Sequence, residues 1–170
     1  TPGHNANAVA ELALGLAVYA VRNFYNVTSG TELMDKKLGI HAYGNVGRNV
    51  ARIAKGFGME VYAFDPFLTA EQIESEGVKA VASAEELYQT CQFVSLHIPA
   101  TAETKNSINY ALLSKMPKNA LLINTARKEV INEAEMVKLM DERKDFKYVT
   151  EIMPGNHAEM TENFAGRYFS

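Results

Sequence analysis

The feature that most constrains this chain is a regular alternation of short apolar runs with helical stretches. "KLGIHAY", "MEVYAFD", a weak run near Val78 to Val81, "QFVSLHIP", "NALLINTA" and "FKYVTEI" each read as a strand. The helices between them carry their own start and stop signals. Val46, Val50, Ile53, Ala54 and Phe57 recur at helical spacing until Gly56 and Gly58 stop the run. Thr69 with Gln72 makes a capping box, Ser83 with Glu86 caps another helix, Asn132 with Glu135 caps "EAEMVKLMDER", and "NYALLSKM" supplies a further helix. Six strand signals alternating with helices predict an α/β chain: a doubly wound parallel sheet of about six strands with helices on both faces. At 170 residues, one domain with a full core is expected.

Ahead of the alternation stands a helix from about Asn5 to Asn23. Its run "LALGLAVYAV" is about half the length needed to span a bilayer. Only Asn7, Glu11 and Arg22 break an otherwise apolar surface, and a helix apolar on most faces must be covered on most faces. A subunit interface or an absent domain is the expected cover. "YNVTSGTELMDKK" reads as a connector, and Met153 to Ser170, lacking a period, reads as unfinished rather than folded on its own. The expected layout is a hinge and interface helix over 1–24, a sheet core over 38–152 and a tail over 153–170.

Lys and Arg number 17 against 20 Asp and Glu, and the signs are scattered, which argues against nucleic acid or an anionic membrane surface as a partner. One cysteine, Cys91, excludes an internal disulfide framework, and no leader signature opens the chain, so a cytoplasmic setting is expected. Cys91 itself reads as a small buried hydrophobe.

The stretch "GIHAYGNVGRNVARIA" carries the chemistry. As a P-loop it fails, because Asn45 and Val46 stand where Lys and Ser/Thr are needed. As the dinucleotide fingerprint G-x-G-x-x-G it keeps Gly44 and Gly47, with Ala42 in place of the first glycine. Gly44 lets backbone approach a pyrophosphate at a helix N-terminus, and Gly47 lets the helix lie close to the strand. Ala42 costs little if its backbone is ordinary, and about a kilocalorie per mole or more if it is left-handed. Asp65 follows roughly 20 residues on, at the end of the second strand, where a carboxylate can accept from both adenosine ribose hydroxyls. With a carboxylate there and no arginine in Pro66-Phe67, NAD is favoured over NADP, and the sheet is Rossmann-type.

Three longer stretches go further. "TPGHNANAVAELALGLAVYAVRN", "SLHIPATAETKNSINYALLSKMPKNALLINTARKEVI" and the glycine loop together resemble the D-2-hydroxyacid dehydrogenases, NAD-dependent oxidoreductases. The likeness covers nearly the whole chain. Lys128 after the arginine and the tail "IMPGNHAEMTENFAGRYF" are most similar to the family's phosphoglycerate branch. The resemblance implies that Asn45 and Val46 offer backbone N–H groups to the pyrophosphate and Asp65 holds the ribose. It implies that His97, Ile98 and Pro99 border the cofactor, and that Thr125 and Ala126 touch its nicotinamide half. Arg127 is implied as the substrate-binding arginine. A guanidinium fork suits that role, since it binds a 2-hydroxy carboxylate bidentately. Glu151 stands where the family has aspartate, reading the nicotinamide carboxamide.

Where the resemblance calls for a glutamate, Asn156 is not an acid and Glu159 lies further on. His157 is near the expected acid-base region without the preceding proline. His41 reads as a core histidine and His4 as structural. The resemblance also implies a substrate domain built from chain on both sides, hinges at each end, a homodimer through the N-terminal helix, and cofactor binding without turnover by this piece alone. Another branch of the same family, acting as a glyoxylate or hydroxypyruvate reductase, a non-catalytic NAD-sensing corepressor-type module and a methyltransferase remain alternatives, the last having no need of Arg127.

Overall fold

The computed structural model describes residues 5–170, so His4 lies outside the described residues. Seven strands form one sheet: β1 (Lys37–His41), β2 (Glu60–Phe64), β3 (Lys79–Ala80), β4 (Phe93–Leu96), β5 (Leu121–Asn124), β6 (Lys147–Thr150) and β7 (Tyr168–Phe169). Their order is β3-β2-β1-β4-β5-β6-β7, and all neighbours pair in parallel. From β1 the chain winds outward to β2 and β3, then crosses back to lay β4 against the other side of β1. That reversal leaves a crevice at the carboxyl ends of β1 and β4, where doubly wound sheets hold their ligands.

The central strands are buried along their length, as a sheet covered on both faces requires. On one face Leu38, Ile40, Phe93 and Ile123 meet α1 (Ala6–Val21) and α2 (Asn45–Gly56). On the other, Val94, Leu96 and Leu122 meet α4 (Ala84–Thr90), α5 (Tyr110–Leu113) and α6 (Glu133–Glu142). The capping signals are realised. Thr69 and Gln72 close a reciprocal box on α3 (Ala70–Glu74), and Ser83 and Asn132 accept the N–H groups of Glu86 and Glu135. Gly58, at φ +77°, turns the chain out of α2. Gly39 sits inside β1, so it cannot open a phosphate loop.

Two expectations need correction. Most of the apolar surface of α1 is covered from within the domain: Ala10, Ala13, Leu14, Ala17 and Ala20 are buried against α2 and the sheet. Small side chains let the two helices approach closely, and only Asn7, Ala8, Glu11, Leu12 and Gly15 are exposed along α1, Leu12 at 39%. The tail is also folded. It forms α7 (His157–Asn163) and β7, whose Tyr168 pairs with Tyr148 of β6. The connector is ordered too: Asn23, Phe24 and Tyr25 make a left-handed turn, and Lys147 Nζ donates to Ala20 O and Asn23 Oδ1 at the end of α1.

Candidate functional site

Each residue expected to bear on the cofactor directly follows a strand, and because the strands are parallel they gather along one edge of the sheet. The loop after β1 comes first. Ala42 has φ +80°, a left-handed conformation that costs an alanine about 1 kcal/mol or more, so the replaced glycine was the one the turn calls for. Ala42 N–H donates to Phe64 O over 2.8 Å, tying the turn to β2. Gly44 is the N-cap of α2, exposed, in extended backbone, with no heavy atom near the place a Cβ would take. No side chain caps the helix there, so its first N–H groups face outward with the positive end of the dipole. At Gly47 a Cβ would stand 2.7 Å from Ala42 O and 3.0 Å from Ile40 Cγ2, so only glycine permits this packing of α2 on β1.

Asp65 lies at the crevice, half-buried. Its Oδ2 accepts from Tyr43 N–H at 2.8 Å and its Oδ1 from Phe67 N–H at 2.9 Å. The second bond closes a turn over Asp65-Pro66. Each oxygen keeps a further lone pair for another donor, so the turn and a ribose contact are compatible.

After β4, His97 N–H donates to His41 O, and the His97 ring pairs with Ser95 through Nε2 and Oγ at 2.8 Å. Burial, with His41 nearby, pushes the His97 pKa down to about 3. His41 is the satisfied core histidine expected, 9% exposed, with Nδ1 2.8 Å from the Tyr88 hydroxyl. Burial takes its pKa down to about 4 against the attraction of Asp65 and Glu85. Ile98 is buried and Pro99 exposed. The Thr104 hydroxyl donates to Pro99 O at 2.6 Å and accepts from Thr101 N–H at 2.7 Å, which explains why threonines follow the proline in this motif. Cys91 is buried and its thiol pKa is pushed up to about 12 by burial, so it is no nucleophile.

The loop after β5 is shaped by Asn124, a residue the sequence reading did not single out. Its Oδ1 accepts from Ala126 N–H and its Nδ2 donates to Arg127 O and to the Tyr148 hydroxyl. Thr125, thus displayed, has a buried Oγ1 with no partner among the described residues. Such a hydroxyl is a place for a ligand polar group. Arg127 is exposed, and among the described residues its guanidinium makes no hydrogen bond or ion pair. Glu151 follows β6, its N–H donating to Asn124 O and its side chain exposed. His157 sits at the start of α7, Nδ1 2.7 Å from the Tyr168 hydroxyl, and Asn156 precedes it as N-cap without a side-chain cap bond. Glu159 is exposed on α7.

A cavity of about 510 Å³ opens at the opposite, amino-terminal edge of the sheet. Of the cations that line it, Lys147 and Arg167 donate to carbonyls at the ends of α1 and α6 and so cap helices.

A helix N-terminus after a first strand, close strand–helix packing at Gly47 and a carboxylate closing the second strand define a dinucleotide-binding domain. The pattern of the D-isomer specific 2-hydroxyacid dehydrogenase, NAD binding domain, matches residues 10–165, and the chain belongs to that family. A D-3-phosphoglycerate dehydrogenase of Methanocaldococcus jannaschii is 34% identical over 156 residues, 84% of this chain and 30% of its own length. A hydroxypyruvate reductase of Thermotoga maritima is 35% identical over 146 residues, 78% of this chain and 46% of its own. The crystal structure of NAD+-bound 3-phosphoglycerate dehydrogenase from Entamoeba histolytica superposes with a TM-score of 0.92 at 42% identity, covering 99% of this chain and 53% of that one. The chain therefore spans about half or less of these relatives. NAD is the cofactor of the domain, and the unpartnered Thr125 hydroxyl, the uncapped start of α2 and Asp65 fit it.

Proposed function

We propose that this chain is the NAD-binding half of an oxidoreductase that moves hydride between 3-phosphoglycerate and NAD, the step that commits carbon to serine. The single observation that carries the substrate end of this reading is Arg127: exposed and without a partner among the described residues, on the loop that also displays the Thr125 hydroxyl. Its fork suits a 2-hydroxy carboxylate, and its charge polarises the adjoining carbonyl. The first N–H groups of α2, at Asn45 and Val46, would hold the pyrophosphate, and Asp65 the adenosine ribose. His97, Ile98 and Pro99 would wall the cofactor, Thr125 and Ala126 would meet its nicotinamide half, and Glu151 would read the carboxamide one methylene further out than aspartate. NAD, when bound, supplies the hydride acceptor. The base that takes the hydroxyl proton is His157, whose ring the Tyr168 bond to Nδ1 orients while leaving Nε2 for a proton, or a group outside this chain.

The hydroxypyruvate reductase relative supports a second reading, in which the substrate lacks phosphate. The ratio of kcat/KM for 3-phosphoglycerate to that for glycerate, measured on the longer enzyme containing this domain, separates the two: a ratio well above one supports the first. As this piece alone, the chain is expected to bind NADH without reducing NAD in the presence of 3-phosphoglycerate, and ready turnover would sink that expectation. A homodimer through the N-terminal region is supported by the outward Leu12 and the exposed Tyr25 and Val27 in the following turn. A cytoplasmic location is supported by the single, buried Cys91. No helix among the described residues is long and apolar enough to cross a membrane.

A further inference from the structure

We infer that Tyr43, Arg48 and Glu76 form a brace that holds the left-handed turn at Ala42, doing for the cofactor loop what a glycine would otherwise do. Tyr43 follows Ala42 directly and is 1% exposed. It is fixed at every polar group it has. Its N–H donates to Asp65 Oδ2 at 2.8 Å, its carbonyl accepts from Arg48 Nη1 at 2.8 Å, and its hydroxyl donates to Glu76 Oε1 at 3.0 Å. Arg48 lies over the Tyr43 ring, 4.8 Å from its centroid, and Arg48 Nε donates to the other oxygen of Glu76 at 3.1 Å. Lys55 in turn donates to the Glu76 carbonyl, fixing that residue at the end of α3.

A residue held at φ +80° against its own preference persists only where its surroundings over-determine it. Ala42 has Phe64 O on its own N–H and Tyr43 immediately after it; it has no side-chain polar group with which to hold itself. The restraint therefore comes through Tyr43. Because Gly44 is two residues beyond Ala42, any relaxation of that turn moves the N-terminus of α2, where the pyrophosphate meets the protein. Tyr43, Arg48 and Glu76 are thus positioning residues for the cofactor, and none needs to touch it. Glu76 lies 33 residues from Tyr43, across β2 and α3, so the brace also ties the cofactor loop to the outer part of the sheet.

The inference rests on the loop being the NAD site and is tested by a double-mutant cycle read in NADH affinity. Glu76→Ala removes both acceptors of the brace from a partly exposed position, and Ala42→Gly removes the strain the brace opposes. In the parent chain, Glu76→Ala is expected to weaken NADH binding about fivefold to tenfold; in the Ala42→Gly background the same change should cost less than about twofold. Tyr43→Phe, which deletes only the hydroxyl, should follow Glu76→Ala in direction. An equal loss in both backgrounds, or no loss in the parent chain with the melting temperature unchanged, would overturn the brace. Absence of NADH binding by the parent chain would instead overturn the reading of the loop, so the two failures are distinguishable.

Discussion

The backbone N–H of Tyr43 donates to the carboxylate of Asp65 over 2.8 Å, joining the loop after the first strand to the end of the second. The two ends of the cofactor crevice are therefore one hydrogen-bonded unit. Replacing Asp65 by alanine removes this bond, the Phe67 bond and the ribose acceptor together. NADH affinity is expected to fall about tenfold to a hundredfold, since hydrogen bonds to a charged group contribute roughly 1.5–3 kcal/mol each. Calorimetric titration of the variant reads this directly, and an unchanged Kd would remove Asp65 from the site.

Ala42→Gly relieves a left-handed alanine. Gains of about 1–2 kcal/mol from the turn are offset in part by the greater freedom of glycine in the unfolded chain, roughly 0.4–1 kcal/mol, so the net should be about 0.5–1 kcal/mol of added stability. For a domain of this size that is a rise of a few degrees in Tm. NADH affinity should change by no more than about tenfold, about 1.4 kcal/mol. A fall in Tm would show that the alanine is unstrained.

Gly47→Ala is expected to do the opposite. The new Cβ would press on Ala42 O at 2.7 Å, a backbone atom that cannot rotate away. Overpacking of this kind costs about 1–3 kcal/mol, and by pushing α2 off β1 it should weaken NADH binding by more than about tenfold. Urea unfolding and the same titration would check both, and a variant as stable as the parent would refute the close packing.

Acid should destabilise the chain through its buried histidines. In the folded protein His41 and His97 stay neutral down to pH values near 4 and 3, whereas in the unfolded chain each takes up a proton near its ordinary 6.5. Their contribution is fully present above about pH 6.5 and is lost progressively as the pH falls toward the folded values. For His41 the loss reaches roughly 3 kcal/mol by pH 4, at 1.36 kcal/mol per pH unit. Urea midpoints measured between pH 7.5 and 4.5 should fall, and His41→Gln should flatten part of that slope. A slope identical in variant and parent would exclude His41 as a source.

The strands, caps and glycine loop were legible because their signals are local: Thr69 and Gln72, or Ser83 and Glu86, sit within one turn of each other and need no partner elsewhere. The tail was not legible, because β7 is two residues long and exists only by pairing with β6. Nor could α1 be assigned its cover, since an all-round apolar helix does not say whether α2 or another chain lies against it. At the site, Asp65 and Arg127 stood out by type and place after a strand. Asn124 did not, since an asparagine inside an apolar strand gives no sign that it will shape the loop beyond. The partners of Tyr43 were hidden for another reason, sequence separation: the hydroxyl finds Glu76 only after α2, β2 and α3 have folded.

The most direct test of the central claim is calorimetric titration of this chain, separately, with NADH, NADPH and S-adenosylmethionine. Stoichiometric binding of NADH, with NADPH weaker by about tenfold or more because Asp65 repels a 2′-phosphate, is the expected result. Binding of S-adenosylmethionine in place of NADH, or equal affinity for the two nicotinamide cofactors, would contradict it.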